Sequence, residues 1–563
     1  MLDLPAGSGP ASCLLATCLC ASIYARLQRY SVSLHRGYCN MRTASQAVAS
    51  PPVPQETPTT SSAYLWWAMT SIVLGGYISV LTSHVMNMVI PKMMSDLGTD
   101  VITIRWVVTA YMIANAVVMP LSGWLARTCG ARDLYIGCLL MFVGSTVACG
   151  MATSVPMVIA FRILQGAGGG MIMPVTMLLM FDLYPAEKRG LGTSIWSMGA
   201  SCGSLTGIPL GGFITEHLSW RAAFYLILPA GIVALLIACL VMRKSPRERG
   251  LPFDWTGAIT LGIAMVALML VLSNGQREGW DSTPIVALLL LFVLAMGAFL
   301  VLEPRVKTPI VDLRAFRSSQ YAIGIGLCLI AGAMFNGGPF LLSLFLQRVY
   351  DFSVQDAAMI MFPSSAFLVL LTPVSGWASD RMDARYLMFL GYLLYAVFGV
   401  CMTFADLRLS ALALLIIYFG RGLGLGLSYS VIYPIAISGF DAGRGKAATT
   451  LLNLCVTLGG ALNVSMLASI LEQRQHVRYA LLAETQLLPS EGMQQALRTL
   501  EATATQIGGA LPPASHARVL LSRLLDQEAL LLAFNDTFST FILISLCGMA
   551  LALFFRRARS QPQ

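Results

Sequence analysis

Apolar runs of roughly 20 residues recur along this chain from about residue 66 to 555, divided by short polar turns. Each run is long enough to cross about 30 Å of hydrocarbon. Fourteen spans are legible, at 66–89, 103–125, 134–153, 156–179, 193–215, 222–242, 255–273, 283–302, 321–346, 355–378, 386–405, 409–437, 447–470 and 531–555. In lipid the backbone must satisfy its own hydrogen bonds, so these spans are expected to be helices. A membrane β-barrel would show alternating segments of roughly 10 residues, which this pattern lacks. The expected fold class is an all-α integral membrane protein.

The pattern is duplicated. Pro120-Leu121-Ser122-Gly123-Trp124 runs into Gly130-Ala131-Arg132, and Pro373-Val374-Ser375-Gly376-Trp377 runs into Asp383-Ala384-Arg385, at a constant offset of 253 residues. Arg162 in span four precedes Gly166, Gly168, Gly169, Gly170 and Pro174; Arg421 in span twelve precedes Gly422, Gly424, Gly426 and Pro434. Spans one to six and nine to fourteen therefore read as two related six-helix bundles, with spans seven and eight as an inserted hairpin. Duplicated hydrophobic halves are how many carriers are built, with the substrate path between the halves.

Composition agrees with a membrane protein: 56% of residues are hydrophobic, 11% are charged and the mean hydropathy is +0.73, where a soluble domain carries roughly 25% charge. The net charge of +9 is distributed by topology. Loops after even-numbered spans hold Arg127, Arg132, Lys188, Arg189, Arg243, Lys244, Arg305, Arg381 and Arg385, whereas the short loops after odd spans carry little beyond Lys92, Arg221, Arg277 and Arg348. By the positive-inside rule both termini are expected to be cytoplasmic, at an inner or plasma membrane. A nucleic-acid partner is not expected.

Several chemistries lack their residues. Cys138, Cys149, Cys239, Cys328, Cys401, Cys455 and Cys547 lie singly inside apolar spans, where a free cysteine behaves as a small hydrophobe. There is no CxxC, no His/Cys/carboxylate cluster for a metal and no GxxxxGK[ST] for ATP. No cofactor is expected, and no nucleophile–base pair points to an enzyme.

The expected organisation is a disordered segment over 1–62, a first bundle over 63–250, the hairpin and a cytoplasmic linker over 251–318, a second bundle over 319–555 and a basic cytoplasmic tail over 556–563. Residues 12–24 form an apolar run too short to span comfortably. Met41 is expected to be the natural start, ahead of the Ser/Thr/Pro-rich stretch from Pro51 to Ser62. Within the second bundle, 472–529 mixes charges with apolar residues at helical spacing. It is expected outside the membrane as short helices over the cavity mouth.

These residues together resemble a family. Gly123-Trp-Leu-Ala-Arg127-Thr-Cys-Gly130, Arg162-Ile-Leu-Gln165-Gly166 and Gly203-Ser-Leu-Thr-Gly207-Ile-Pro209-Leu-Gly211-Gly212 resemble, in order, the motifs of the major facilitator superfamily, in the fourteen-span drug:proton antiporters of EmrB/QacA type. The resemblance covers about 66–555. It implies a major facilitator fold, a small-molecule substrate, protons as the coupling ion and, in a cell with two membranes, a periplasmic adaptor protein.

The departures from the family pattern are specific. The signature loop usually carries Asp where this chain has Arg127, while the second copy keeps Asp380-Arg381. A latch built on that carboxylate is expected to be asymmetric. The fifth-span proline is moved by one, to Pro209, so its bend is expected to rotate by about 100°. The first-span Asp is replaced by Thr82, and no Asp or Glu lies deep in any span. Proton coupling needs a titrating group.

His84 is the substitute, sharing a helical face with Tyr77, Asn87 and Pro91. Its other reading is a plain hydrogen bond to a neighbouring helix. Arg162 and Arg421 are expected to be positive sites or packing elements of the repeat, with Gln165 partnering Arg162. Tyr111 and Asn115, Phe335 and Asn336, and Tyr429 and Tyr433 are the candidate cavity lining, since aromatics with a few polar groups suit bulky solutes. Two functions stay open: proton-driven export of lipophilic or cationic drugs by alternating access, or uniport or import of a defined metabolite without proton antiport.

Overall fold

The computed structural model describes residues 62–554 apart from 186–187, 249, 307, 380, 407–408, 438–441 and 488–512. The expectations about Met41, residues 1–61, Asp380 and the 556–563 tail lie outside the described residues. Those described form helices and turns, with no strand among them.

All fourteen spans are helical. The first bundle holds α1 (Ser62–Asp96), α2 (Val101–Val118), α3 (Ser122–Cys129), α4 (Ala131–Met151), α5 (Val155–Leu183), α6 (Arg189–His217), α7 (Ala222–Tyr225) and α8 (Leu228–Leu240). The hairpin is α9 (Trp255–Glu278) and α10 (Thr283–Leu302). The second bundle holds α11 (Ser319–Arg348), α12 (Val354–Ser379), α13 (Ala384–Thr403), α14 (Ala411–Ser428), α15 (Ile432–Ala436), α16 (Ala442–Leu487) and α17 (Pro513–Phe554). Spans two and twelve are interrupted by single 3₁₀ turns, Met119–Leu121 and Tyr429–Val431. Pro120 accounts for the first, because its ring cannot continue the α-helical hydrogen-bond ladder.

Thirteen of the spans are long and apolar enough to cross a membrane among the described residues. The exception is span five, α6, whose sequence is rich in Gly, Ser and Thr. It needs no apolar surface, because it is enclosed between α1 of its own bundle and α12 of the other. Gly199, Gly203, Gly207 and Gly211 recur every four residues, and a Cβ at each would press on Val73, Tyr77, His84 and Met88 of α1 in turn. Spacing by four puts them on one helix face, and small residues let two helices approach closely in lipid. α11 and α16 meet the same way, Gly332 against the Val456 carbonyl and Gly459 against that of Leu329.

The duplication seen in sequence is a duplication of packing. In the first bundle α1 lies along α6, α2 and α4 along α5, and α4 on α8. In the second, α11 lies along α16, α12 and α13 along α14, and α13 on α17. The bundles meet where α6 runs along α12 and where α3 and α5 touch α16. The hairpin leans on α2 and α16. Only 11% of the apolar window of α10 is buried, which leaves Leu290, Val293 and Leu294 facing outward as lipid-contact residues.

The expectation for 472–529 needs correction. α16 continues unbroken to Leu487 and α17 already begins at Pro513, so the described part is an extension of the two spans rather than separate short helices. Bonds along the extension hold it: Arg478 makes a bidentate pair with Asp536 at 2.8 and 3.0 Å. Trp280 Nε1 of the hairpin turn donates to Ser469 Oγ at 3.0 Å.

Candidate functional site

Arg162 stands two turns into α5, nearer the helix start than the span centre, and is 1% exposed. Its Nη1 donates to Gln165 Oε1 at 2.9 Å; Gln165 Nε2 donates to Thr146 Oγ1 at 2.7 Å; and Thr146 donates to the Phe142 carbonyl at 2.6 Å. The guanidinium is flanked by the Tyr111 and Phe224 rings, 5.3 and 5.2 Å from their centroids. Its Nε and Nη2 have no hydrogen-bond partner among the described residues. A buried cation held by ring faces and one amide, with no carboxylate, is an electropositive site.

Arg421 is its counterpart. It lies in the interior of α14, also 1% exposed, with Nη1 3.4 Å from Ser364 Oγ and Nε unpartnered. It is packed so closely on α11 that a Cβ on Gly338 would fall 2.8 Å from Nε.

His84 is partly buried and its Cβ abuts Gly207. Asn87 lies on the same helix. Tyr77 is held to α6, its hydroxyl accepting from Thr206 Oγ1 at 3.2 Å. Thr82, in the place of the family carboxylate, bonds only the Ile78 carbonyl, at 2.8 Å. Its neighbour Ser83 is exposed; sequence reasoning passed over it because one hydroxyl among apolar residues carries little signal.

The remaining candidates fall into two groups. Asn115 and Asn336 are half-buried, with Asn336 Nδ2 donating to the Gly332 carbonyl at 3.2 Å. Tyr111, Phe335, Tyr429 and Tyr433 are buried. Phe335 stacks on Tyr429 at 5.3 Å, Tyr429 meets Tyr433 edge-on at 6.3 Å, and Tyr433 meets Trp196 of the other bundle at 5.5 Å. This aromatic column ends at the bundle boundary. Two more cross-bundle contacts lie at the same end, the end that carries the basic loops. A Cβ on Gly376 would overlap Ser194 Oγ, and one on Gly123 would touch Thr450 Oγ1 at 3.5 Å.

The two copies of the signature loop find different partners. Arg127, where the family has a carboxylate, pairs with Glu248 through Nε at 3.1 Å and Nη2 at 2.6 Å. The loop thus carries an ion pair with the arginine on the loop and the carboxylate on the segment after α8. Glu248 N donates to the Arg127 carbonyl at 2.8 Å, Arg247 pairs with Asp133, and Arg132 N donates to Ser245 Oγ at 3.2 Å. Gly130 makes the corner with φ +87°, a conformation other residues rarely adopt. The latch therefore closes on the segment following α8, within the first bundle. In the second copy Arg381 lies over the Trp377 ring at 4.0 Å. In α6, Pro209 stands inside the helix and Gly212 is buried.

Among the described residues no His/Cys/Asp/Glu group could hold a metal. Sequence reasoning missed two buried acids, Asp254 and Glu303, 3% and 1% exposed. Glu303 was legible as a charge closing the most apolar run of the chain, immediately before Pro304.

A family model described as Major Facilitator Superfamily matches residues 72–463. The chain belongs to the Major Facilitator Superfamily. It is 30% identical to the multidrug export protein EmrB of Haemophilus influenzae over 73% of this chain and 81% of that one. It is 28% identical to EmrB of Escherichia coli K12 over 84% and 93%. Among solved structures it resembles a bacterial homologue of the human lysosomal transporter Spinster, at TM-score 0.53 and 17% identity, covering 89% of this chain and all of that one. That likeness concerns the fold. The chain is thus a multi-pass membrane protein of a transporter superfamily whose relatives include multidrug exporters.

Proposed function

We propose that this protein exports lipophilic or cationic drugs in exchange for protons by alternating access. The observation that carries the reading is its likeness, over most of the length of both chains, to proteins named for multidrug export. The structure adds groups suited to the task. His84 is the candidate proton carrier, and the fixed charges of Arg162 and Arg421 make the interior electropositive. Protonating His84 would add a positive charge to an interior that already holds Arg162 and Arg421, and like charges repel in a low-dielectric interior. Proton arrival would thereby bias one bundle against the other.

The basic end is the cytoplasmic one on this reading, with both termini inside. The contacts among Trp196, Tyr433, Gly376 and Ser194 are then the closed inner gate. The extension of α16 and α17 beyond Arg478 and Asp536 lies outside, where a periplasmic adaptor protein would dock in a cell with two membranes.

Drug-susceptibility testing in a pump-deficient host tests the reading. The parent is expected to raise resistance to at least one cationic dye or antiseptic, and Arg162→Ala and His84→Ala to lose it at equal expression. A parent that protects against none would overturn the export assignment.

A further inference from the structure

The root of the inserted hairpin carries chemistry that the bundles do not use. Asp254 caps α9: its Oδ1 accepts from Gly257 N at 2.8 Å and from Thr256 Oγ1 at 2.8 Å. Glu303 follows α10, and its Oε1 accepts from Val311 N, in the linker to the second bundle, at 2.8 Å. The other oxygen of each, Asp254 Oδ2 and Glu303 Oε2, is buried and takes no bond from an N–H or hydroxyl group among the described residues. Both point to one spot: a Cβ built on Gly257 would collide with the two oxygens together. The two carboxyl groups therefore face each other across the Gly257 backbone.

Two carboxylates that face each other have only lone pairs to offer, so a bond between them requires a proton. Two bare negative charges at that separation, out of water, repel severely. No compensating cation is found: among the described residues no Lys, Arg or His pairs with either acid, and the groups bearing on Glu303 are Asp254 and the backbone at Ile310 and Val311. Besides Glu303, the described charged residues of the linker are Arg305, Arg314 and Arg317, all exposed, and Asp312, which caps its own turn; Lys307 lies outside the described residues. The small core beside the pair is apolar, with Met119 from the 3₁₀ turn of span two, Leu261 from α9, Phe299 from α10, Val311 from the linker and Leu454 from α16.

We propose that Asp254 and Glu303 hold one proton between them, forming a proton-binding site at the hairpin root that pins the hairpin to the interbundle linker. The proton sits between Oδ2 and Oε2; on release it passes to water and leaves two ionised carboxylates, which repel. The site is placed where several parts meet. Phe253, next to Asp254, packs edge-on against Trp124 of α3 at 4.7 Å, and Thr308 Oγ1 of the linker donates to the Pro252 carbonyl at 2.8 Å. Losing the proton would loosen span two, the hairpin and the entry to the second bundle together. This inference stands apart from the export reading and from His84.

Infrared spectra of the full-length protein in nanodiscs, titrated from about pH 6 to about pH 9, test it directly. A protonated-carboxyl stretching band is expected at the acid end and is expected to vanish at the alkaline end. Asp254→Asn and Glu303→Gln should each lack it. The folded state binds the extra proton, so parental heat stability should fall as pH rises through that range. Glu303→Gln replaces the proton by a permanent N–H donor, so its stability should no longer depend on pH there. A parent without the band, a band that survives both substitutions, or an unchanged pH slope in Glu303→Gln would overturn the proposal.

Discussion

Trp196 and Tyr433 stand edge to face across the two bundles, 5.5 Å between ring centroids and 78° between planes. Each is anchored behind: Trp196 Nε1 donates to Thr176 Oγ1 at 3.0 Å, and the Tyr433 hydroxyl donates to Asn453 Oδ1 at 3.2 Å. Neither ring can shift without breaking a buried hydrogen bond in its own bundle. An aromatic pair of this kind contributes about 0.5–1.5 kcal/mol beyond its buried area. Trp196→Leu should therefore shift the population away from the state closed at the basic end by roughly 2- to 12-fold. Accessibility of single cysteines placed beside Ser194 to a membrane-impermeant reagent, with and without the substitution, measures it. Equal labelling rates would mean that the pair does not hold that end shut.

Arg162→Lys should fail as Arg162→Ala does. A lysine places a compact charge where a planar group now lies between two rings and reaches Gln165. Leaving Gln165 without its partner costs about 1–3 kcal/mol of buried hydrogen bonding. The expected result is normal membrane insertion with at least 10-fold less transport. Transport at the parental rate in Arg162→Lys would show that charge alone suffices.

Gly207→Val should destabilise the first bundle. The added side chain meets the His84 Cβ directly, and overpacking a tight interface costs about 1–3 kcal/mol. Gly137, whose Cβ position is open, is the control at which Ala should be tolerated. Thermal unfolding in detergent separates the two.

The Arg127–Glu248 pair predicts an acid-side effect. Arg127 holds the Glu248 carboxyl below the usual carboxylate range. A depressed carboxyl contributes stability that is present above its unfolded value, about 4.3, and is lost as pH falls through the folded one. Both groups are exposed, so the effect is small. Glu248→Gln should reduce the acid-side pH dependence of unfolding, and the swap of Arg127→Glu with Glu248→Arg should restore it. A swap no better than either single change would argue that the loop is held by its backbone bonds alone.

The fold was legible because lipid imposes length, apolarity and internal hydrogen bonding at once, and because the repeat of Pro120–Arg132 at Pro373–Arg385 fixes the two halves. Even α6, with the weakest apolar signal, was marked by its glycines. The Arg162–Gln165 contact followed from helical spacing. Long-range pairings were not legible. Arg127 and Glu248 are separated by 121 residues, and Asp254 and Glu303 by a whole hairpin. A charge near a span end reads as solvated until folding brings a partner to it. The same limit applies to Trp196 and Tyr433, whose contact depends on how two bundles dock.

Purified protein in liposomes loaded with a transported dye, with a pH gradient imposed across the membrane, tests the central claim most directly. The account predicts dye movement driven by the gradient, proton movement in the opposite direction, and loss of both in Arg162→Ala and of the coupling in His84→Ala. Dye movement at the same rate with and without the gradient would contradict it.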